Sequence, residues 1–226
     1  MRKITAVWKS LQWWRRPKPK RRLDRVRAVD LLTEACELLD ASGHRCWLTD
    51  GTLLGLYRDG DFIAHDVDID LGFPIEGFDF DLTERFVAAG WSLHSICGRI
   101  SAGLEVSFEK DGTKLDVFVF YREADTVWHG AWLDDRQVKG QRRLIRYVYP
   151  RFELERATYL GRDFSVPACQ ETYVRTKYGD DWRTPVADWD WAYSPANARP
   201  TETYGYRLKR PKRLRQAQAF LTTRGK

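Results

Sequence analysis

The sequence predicts an α+β domain: a mixed β-sheet flanked by helices, with a basic extension at each end. Three observations predict it. Helical and strand-like segments follow one another along the chain, two hairpin signals interrupt them, and charge is strongly segregated between the ends and the middle.

In chain order, apolar residues at Val26, Val29, Leu32, Ala35, Cys36 and Leu39 repeat with helical period, and Ser42-Gly43 closes that helix. Residues 45–49 read as a short strand running into the sequence DGTLLG, with a helical turn over 52–58 and a loop at 59–61. Residues 67–73 form the next strand. A helix over 80–89 follows, stopped by Gly90. Residues 91–97 read as a strand. Residues 104–109 and 114–121 flank Asp111-Gly112, a two-residue hairpin turn. Aromatic-rich stretches at 126–133 and 144–149 read as further strands. A second hairpin is expected between 157–160 and 164–166, turning at 161–163. The last clear helix spans 168–178, ahead of a Trp- and Pro-rich stretch at 182–200. The expected organisation is an N-terminal extension 1–22, a catalytic domain 23–198 and a C-terminal tail 199–226.

With 226 residues, 43% of them hydrophobic, the chain is long and apolar enough for a substantial core and is not a disordered one. No run approaches the roughly 20 apolar residues of a spanning helix. The start lacks the long apolar run and small-residue site of a secretory leader. Cys36, Cys46, Cys97 and Cys169 are scattered, with no metal-type spacing, which fits buried thiols in a reducing cytoplasm. The net charge is +6, with +10 on residues 1–27 and +8 on 199–226, so the middle carries −12. An acidic body of that size repels phosphates, so nucleic acid is an unfavoured partner. In the first segment Ile4, Val7, Trp8, Leu11 and Trp14 share one helical face, with Lys and Arg beside them and a basic run after Pro17 and Pro19. Such a helix suits an anionic membrane surface, although it could equally pack on its own domain.

The most informative stretch is HDVDIDLGF, residues 65–73. In a strand, Asp66, Asp68 and Asp70 share one face while Val67, Ile69 and Leu71 point into a core. Three anions in a row raise one another's pKa values unless something positive lies between them. Hard oxygen ligands favour Mg²⁺ or Mn²⁺. A second strand, KLDVFVF, places Asp116 among apolar residues, where an unpaired carboxylate is costly. Either a cation shared with Asp68 and Asp70 or a salt bridge to a Lys or Arg would resolve that cost. Ahead of the acidic strand, Gly51 permits a tight turn, Thr52 offers a hydroxyl, Gly55 permits close helix packing and Arg58 can balance phosphate charge. Lys177, Tyr178 and Trp182 are candidates for the edge of the site. Trp182, Trp189 and Trp191 are expected to pack on the sheet.

Together these residues resemble the LicD/fukutin family. DGTLLGLYRDGDFIAHDVDIDLGF (50–73) is similar to the family pattern of GTLLG, an Arg, an apolar stretch and DxDxD, with Ala64 and His65 where the family has Pro and Trp. KLDVFVFY matches its third carboxylate strand. Tyr178-Gly179-Asp180-Asp181-Trp182 with Pro185 resembles its YGxxWxxP element, and Leu160-Gly161 with residues 164–167 resembles the lead-in to it. The resemblance implies a nucleotidyltransferase fold. It also implies transfer of a phospho-alcohol unit (phosphocholine, ribitol phosphate or glycerol phosphate) from a CDP-linked donor to a hydroxyl of a glycan or glycolipid acceptor, releasing CMP. Asp68, Asp70 and Asp116 would then be the catalytic and metal-binding carboxylates. Gly51, Thr52, Gly55, Arg58 and Asp66 would line the donor side, and the basic ends fit a cytoplasmic location at the inner face of the membrane. Two other readings stay open from the residues alone. One is transfer of NMP from an NTP; the other is a non-catalytic membrane- or nucleic-acid-binding protein.

Overall fold

The computed structural model describes residues 22–134 and 141–223, so the amphipathic helix expected near the N-terminus lies outside the described residues. Helix α1 (Arg25–Asp40) starts at Asp24, whose carboxylate accepts the Arg27 amide at 3.2 Å. It buries Ala28, Leu31, Leu32, Ala35 and Leu39, a stripe of helical period. Strand β1 (Trp47–Leu48) leads into α2 (Asp50–Asp59), which Gly60 ends in a left-handed conformation at φ 69°. Strand β2 (Asp68–Pro74) carries the acidic row, and α3 (Phe80–Ala88) is capped by Asp79 accepting from the Leu82 amide.

A meander follows: β3 (Ser92–Arg99), β4 (Ala102–Lys110), β5 (Thr113–Glu123), β6 (Thr126–Asp134) and β7 (Arg142–Pro150). Hairpin β8 (Leu154–Tyr159) and β9 (Arg162–Pro167) precedes α4 (Gln170–Tyr178). Its turn sits at Leu160-Gly161, with φ of 52° and 74°, one residue before the expected 161–163. Two successive left-handed residues match the twist of the flanking strands better than a three-residue loop does.

Of the segment 199–226, expected as a basic tail, the described residues 199–223 are instead part of the fold. They contribute nearly all of β10 (Ala198–Gly205), then β11 (Arg207–Lys209) and α5 (Leu214–Thr223). Its aromatic and apolar residues alternate with basic ones, which is a strand pattern despite the charge. In the nine-stranded sheet, β10 pairs with β7 at one end and β11 with β3 at the other. Only Tyr206 separates them, and its carbonyl accepts the Gly98 amide at 3.1 Å.

The one parallel pairing of that sheet, β2 with β5, organises the site. Ile69, Leu71, Phe73, Leu115, Val117 and Val119 are fully buried on one face. There α1 and α3 cover the sheet, and Phe86 of α3 stacks on Phe108 at 4.2 Å. The opposite face holds the carboxylates at one end and an aromatic layer at the other, where Trp47 meets Phe120 at 4.9 Å. Trp47 also lies across Gly72, where an added Cβ would come within 2.4 Å of the indole. Gly72→Ala is therefore expected to destabilise the domain by about 1–3 kcal/mol, because the ring has to move. Thermal or chaotrope unfolding of the variant checks this, and an unchanged midpoint refutes it. No helix of the described residues is long and apolar enough to cross a membrane.

Candidate active site

The β2–β5 register sets Asp70 directly beside Asp116 and Asp68 beside Lys114. Alternation then sends all four side chains to the same face. The structure thus brings together the three carboxylates that the sequence singles out. With Asp66, two residues ahead of the strand's first residue, they line a cavity of about 510 Å³. Asp66 Oδ1 accepts the Val67 amide at 2.9 Å. Burial, with Asp68 next to it, pushes the Asp66 carboxyl up to about 7. Burial raises Asp70 well above the usual carboxylate range, reinforced by Asp68, Asp50, Asp66 and Asp116. The cluster is short of positive charge.

Lys114 supplies some of that charge. Its Nζ lies 2.5 Å from Asp116 Oδ2 and 3.4 Å from Asp68 Oδ2. Burial opposes its charge, but Asp116 and Asp68 more than offset that and raise its pKa. Of the two solutions foreseen for Asp116, the salt bridge is present at Oδ2, while Oδ1 is buried with no hydrogen-bond partner. Among the described residues no three Asp, Glu, His or Cys groups are already gathered as a metal shell.

The turn before α2 works differently from expectation. The left-handed residue is Asp50, at φ 46°, and not Gly51. Gly51 is required for space, since a Cβ there would stand 2.9 Å from Asp66 Oδ2 and 3.1 Å from Asp70 Oδ2. Its amide donates to Asp70 Oδ2 at 2.9 Å, so this N–H positions a carboxylate rather than cradling a phosphate. Thr52 is fully buried, and its hydroxyl accepts the Asp70 amide at 2.8 Å. It locks α2 to β2 and is not open to a ligand. Gly55 lies against the 61–63 loop, where a Cβ would come within 2.7 Å of the Asp61 carbonyl. That is a packing role. Arg58 does line the cavity, held by paired contacts to Asp59 at 2.9 and 2.7 Å.

A second cluster, centred on Asp50, was not picked out from the sequence. Lys177 Nζ lies 2.5 Å from Asp50 Oδ1, His129 Nε2 at 3.5 Å and the Tyr149 hydroxyl at 3.4 Å. Burial opposes ionisation of Asp50, yet Lys177 and His129 outweigh it and hold the carboxyl well below its ordinary range. Burial keeps His129 below its usual value against the pull of Asp50. Lys177, an expected edge residue, is thus tied down inside, with its ammonium 4.6 Å from the Tyr147 ring centre. A lone Asp next to a Gly reads as an ordinary turn, and its partners lie some 80 to 130 positions further along.

Aromatics wall the cavity. Trp182 is buried and stacks on Tyr57 of α2 at 5.4 Å, and Trp189 meets Tyr178 at 4.9 Å. Trp191, expected to pack, is 50% exposed at the rim. At the far end stand Glu105, Arg142, Arg207 and Trp132, none of which was foreseen. Burial and the nearby Asp116 carry the Glu105 carboxyl up to about 7. The signal for Glu105 is an acid set between Leu104 and Val106 in β4, much as Asp116 is set between Leu115 and Val117 in β5.

A sequence model of the LicD/FKTN/FKRP nucleotidyltransferase domain matches residues 43–169. The chain is 37% identical over 177 residues to the human ribitol-5-phosphate transferase FKTN, covering 78% of this chain and 37% of that protein. The mouse protein of that name is 36% identical over the same shares. The human ribitol 5-phosphate transferase FKRP is 32% identical over 106 residues, 44% of this chain and 21% of that one. The chain spans little more than a third of the length of the FKTN proteins it matches.

Proposed function

The chain belongs to the LicD/FKTN/FKRP nucleotidyltransferase-domain family, and on that footing we propose that it transfers a phospho-alcohol unit from a CDP-linked donor to a glycan hydroxyl. The observation that carries this reading is the convergence of Asp68, Asp70 and Asp116 from two parallel strands into one cavity beside a helix start. Ribitol phosphate is the favoured unit, because the relatives carry that activity in their names.

In the proposed step the acceptor oxygen attacks the phosphorus that bears the alcohol. A new P–O bond forms, the pyrophosphate P–O bond breaks, and CMP leaves with the electron pair. The hydroxyl proton goes to a carboxylate. Asp116 would take that role or serve as a ligand, a reading supported by its Oδ1, which is buried with no hydrogen-bond partner. Arg58, preset by Asp59, offers a fixed positive charge at the cavity wall for the departing diphosphate.

The residues present fit a divalent cation: the donor set is all oxygen, one buried oxygen is orphaned, and burial, reinforced by neighbouring carboxylates, drives Asp70 towards its neutral form. Asp68, Asp70 and Asp116 would hold Mg²⁺ or Mn²⁺, which when bound neutralises charge on the transferring phosphate.

The test is incubation with CDP-ribitol, CDP-glycerol, CDP-choline, CTP and ATP in the presence of Mg²⁺ or Mn²⁺ and a glycan acceptor. CMP release with at least one CDP-alcohol is the expected result. Pyrophosphate release from CTP or ATP would instead favour nucleotidyl transfer, and no turnover with any donor would remove the proposal.

A further inference from the structure

We infer that Lys114 is a resident counter-ion of the carboxylate site: its ammonium takes the cation position between Asp68 and Asp116 in the metal-free protein and is displaced when a divalent cation binds. Lys114 thereby sets the affinity of the site. This inference rests on the reading of Asp68, Asp70 and Asp116 as ligands.

Lys114 and Asp116 are two residues apart on β5, so their side chains share a face, and the parallel register adds Asp68 on the other side. The ammonium therefore sits between two carboxylates, at 2.5 and 3.4 Å. It does not complete the site. Asp116 is 6% exposed, and its Oδ1 is left with no hydrogen-bond partner. Among the described residues the ion pairs to this carboxylate group come from Lys114, to Asp68 and Asp116; an ammonium brings one charge, whereas a dication brings twice the charge and can accept the orphaned lone pair.

Displacement also needs a side chain free to leave. Lysine is a compact charge on a flexible four-carbon stem, and the Lys114 side chain is 26% exposed. Lys177 makes the contrast: it is 7% exposed, paired with Asp50 and set against the Tyr147 ring. Of these two lysines at the cavity, Lys177 is locked and Lys114 can move.

The test compares Mn²⁺ binding by the intact protein, followed through the free-ion paramagnetic signal, for wild type, Lys114→Met, Lys114→Gln and Lys114→Arg. Unfolding midpoints in chelator and in Mg²⁺ are measured alongside. Lys114→Met and Lys114→Gln are expected to bind Mn²⁺ about tenfold more tightly, while Lys114→Arg, which keeps the charge, stays near wild type. In chelator the neutral variants should melt below wild type, with the gap closing in Mg²⁺; a merely structural lysine would lower both midpoints equally. Mn²⁺ binding by a neutral variant when wild type shows none would support the inference equally. If wild type binds Mn²⁺ and the neutral variants bind no better, or fail to fold even with Mn²⁺ present, the counter-ion role falls while the ligand assignment survives. If neither wild type nor the neutral variants bind Mn²⁺, both fall together.

Discussion

With Asp70→Asn, CMP release from the CDP-alcohol donor is expected to fall by about a thousandfold or more, since a charge ligand worth several kcal/mol in the transition state is removed. The fold should tolerate the change. Burial and four neighbouring carboxylates already push Asp70 towards its neutral form in the metal-free protein, and Asn is close in shape to that form. The amide oxygen can still accept from Gly51, and the Thr52 contact uses only the backbone of residue 70. Two measurements should therefore diverge: the metal-free unfolding midpoint stays the same or rises, while both turnover and the gain in midpoint on adding Mg²⁺ disappear. Retention of full metal-dependent turnover would remove Asp70 from the site.

The other large effect is on stability. Asp50→Ala and Lys177→Met each break a buried ion pair and strand its partner, for an expected loss of about 3–5 kcal/mol at neutral pH. The double variant should lose less than the sum, because no charge is left uncompensated. The pH dependence has a definite sign. Asp50 is held below the ordinary carboxylate value of about 4, so across that window the unfolded chain binds the proton and the folded one does not. This contribution is present above about pH 4 and is lost as the pH falls below it. His129, also held below its usual value, acts in the same direction, since the unfolded imidazole takes up a proton first on acidification. The deficit of Asp50→Ala relative to wild type should therefore shrink in acid. Denaturant unfolding of both proteins at pH 7 and pH 3 checks this, and a deficit independent of pH would contradict it. Lys177, Tyr149 and Tyr173 face the same carboxylate, and burial pushes both phenols up, away from this window.

What could be read from the chain and what could not divide along a physical line. The alternation DVDID announces a strand with one charged and one apolar face, because period-2 patterning is local. Asp116 could be singled out because a carboxylate among Leu115, Val117 and Phe118 needs an explanation wherever the strand goes. The parallel register that seats it beside Asp70 is not local, and nothing in either segment states it. The contacts of Gly51, Thr52 and Gly55 are hidden from the sequence for the same reason: each is defined by what stands opposite, namely Asp66, the Asp70 amide and the 61–63 loop. Asp50 was invisible because its partners come from β6, β7 and α4. The basic C-terminal segment misled through composition, since its positive charge drew attention away from its strand pattern. Arg207 reaches the same cavity that the acidic strands line.

That last segment bears on how far the family match extends as a physical object. The matched region stops at residue 169, yet β10 and β11 come later and cap the outer sides of β7 and β3. Without them both outer strands would show unpaired amides and carbonyls to solvent, an invitation to intermolecular pairing. The region matched by that model therefore lacks the partners of two of its own strands, which residues 198–209 supply from further along the chain.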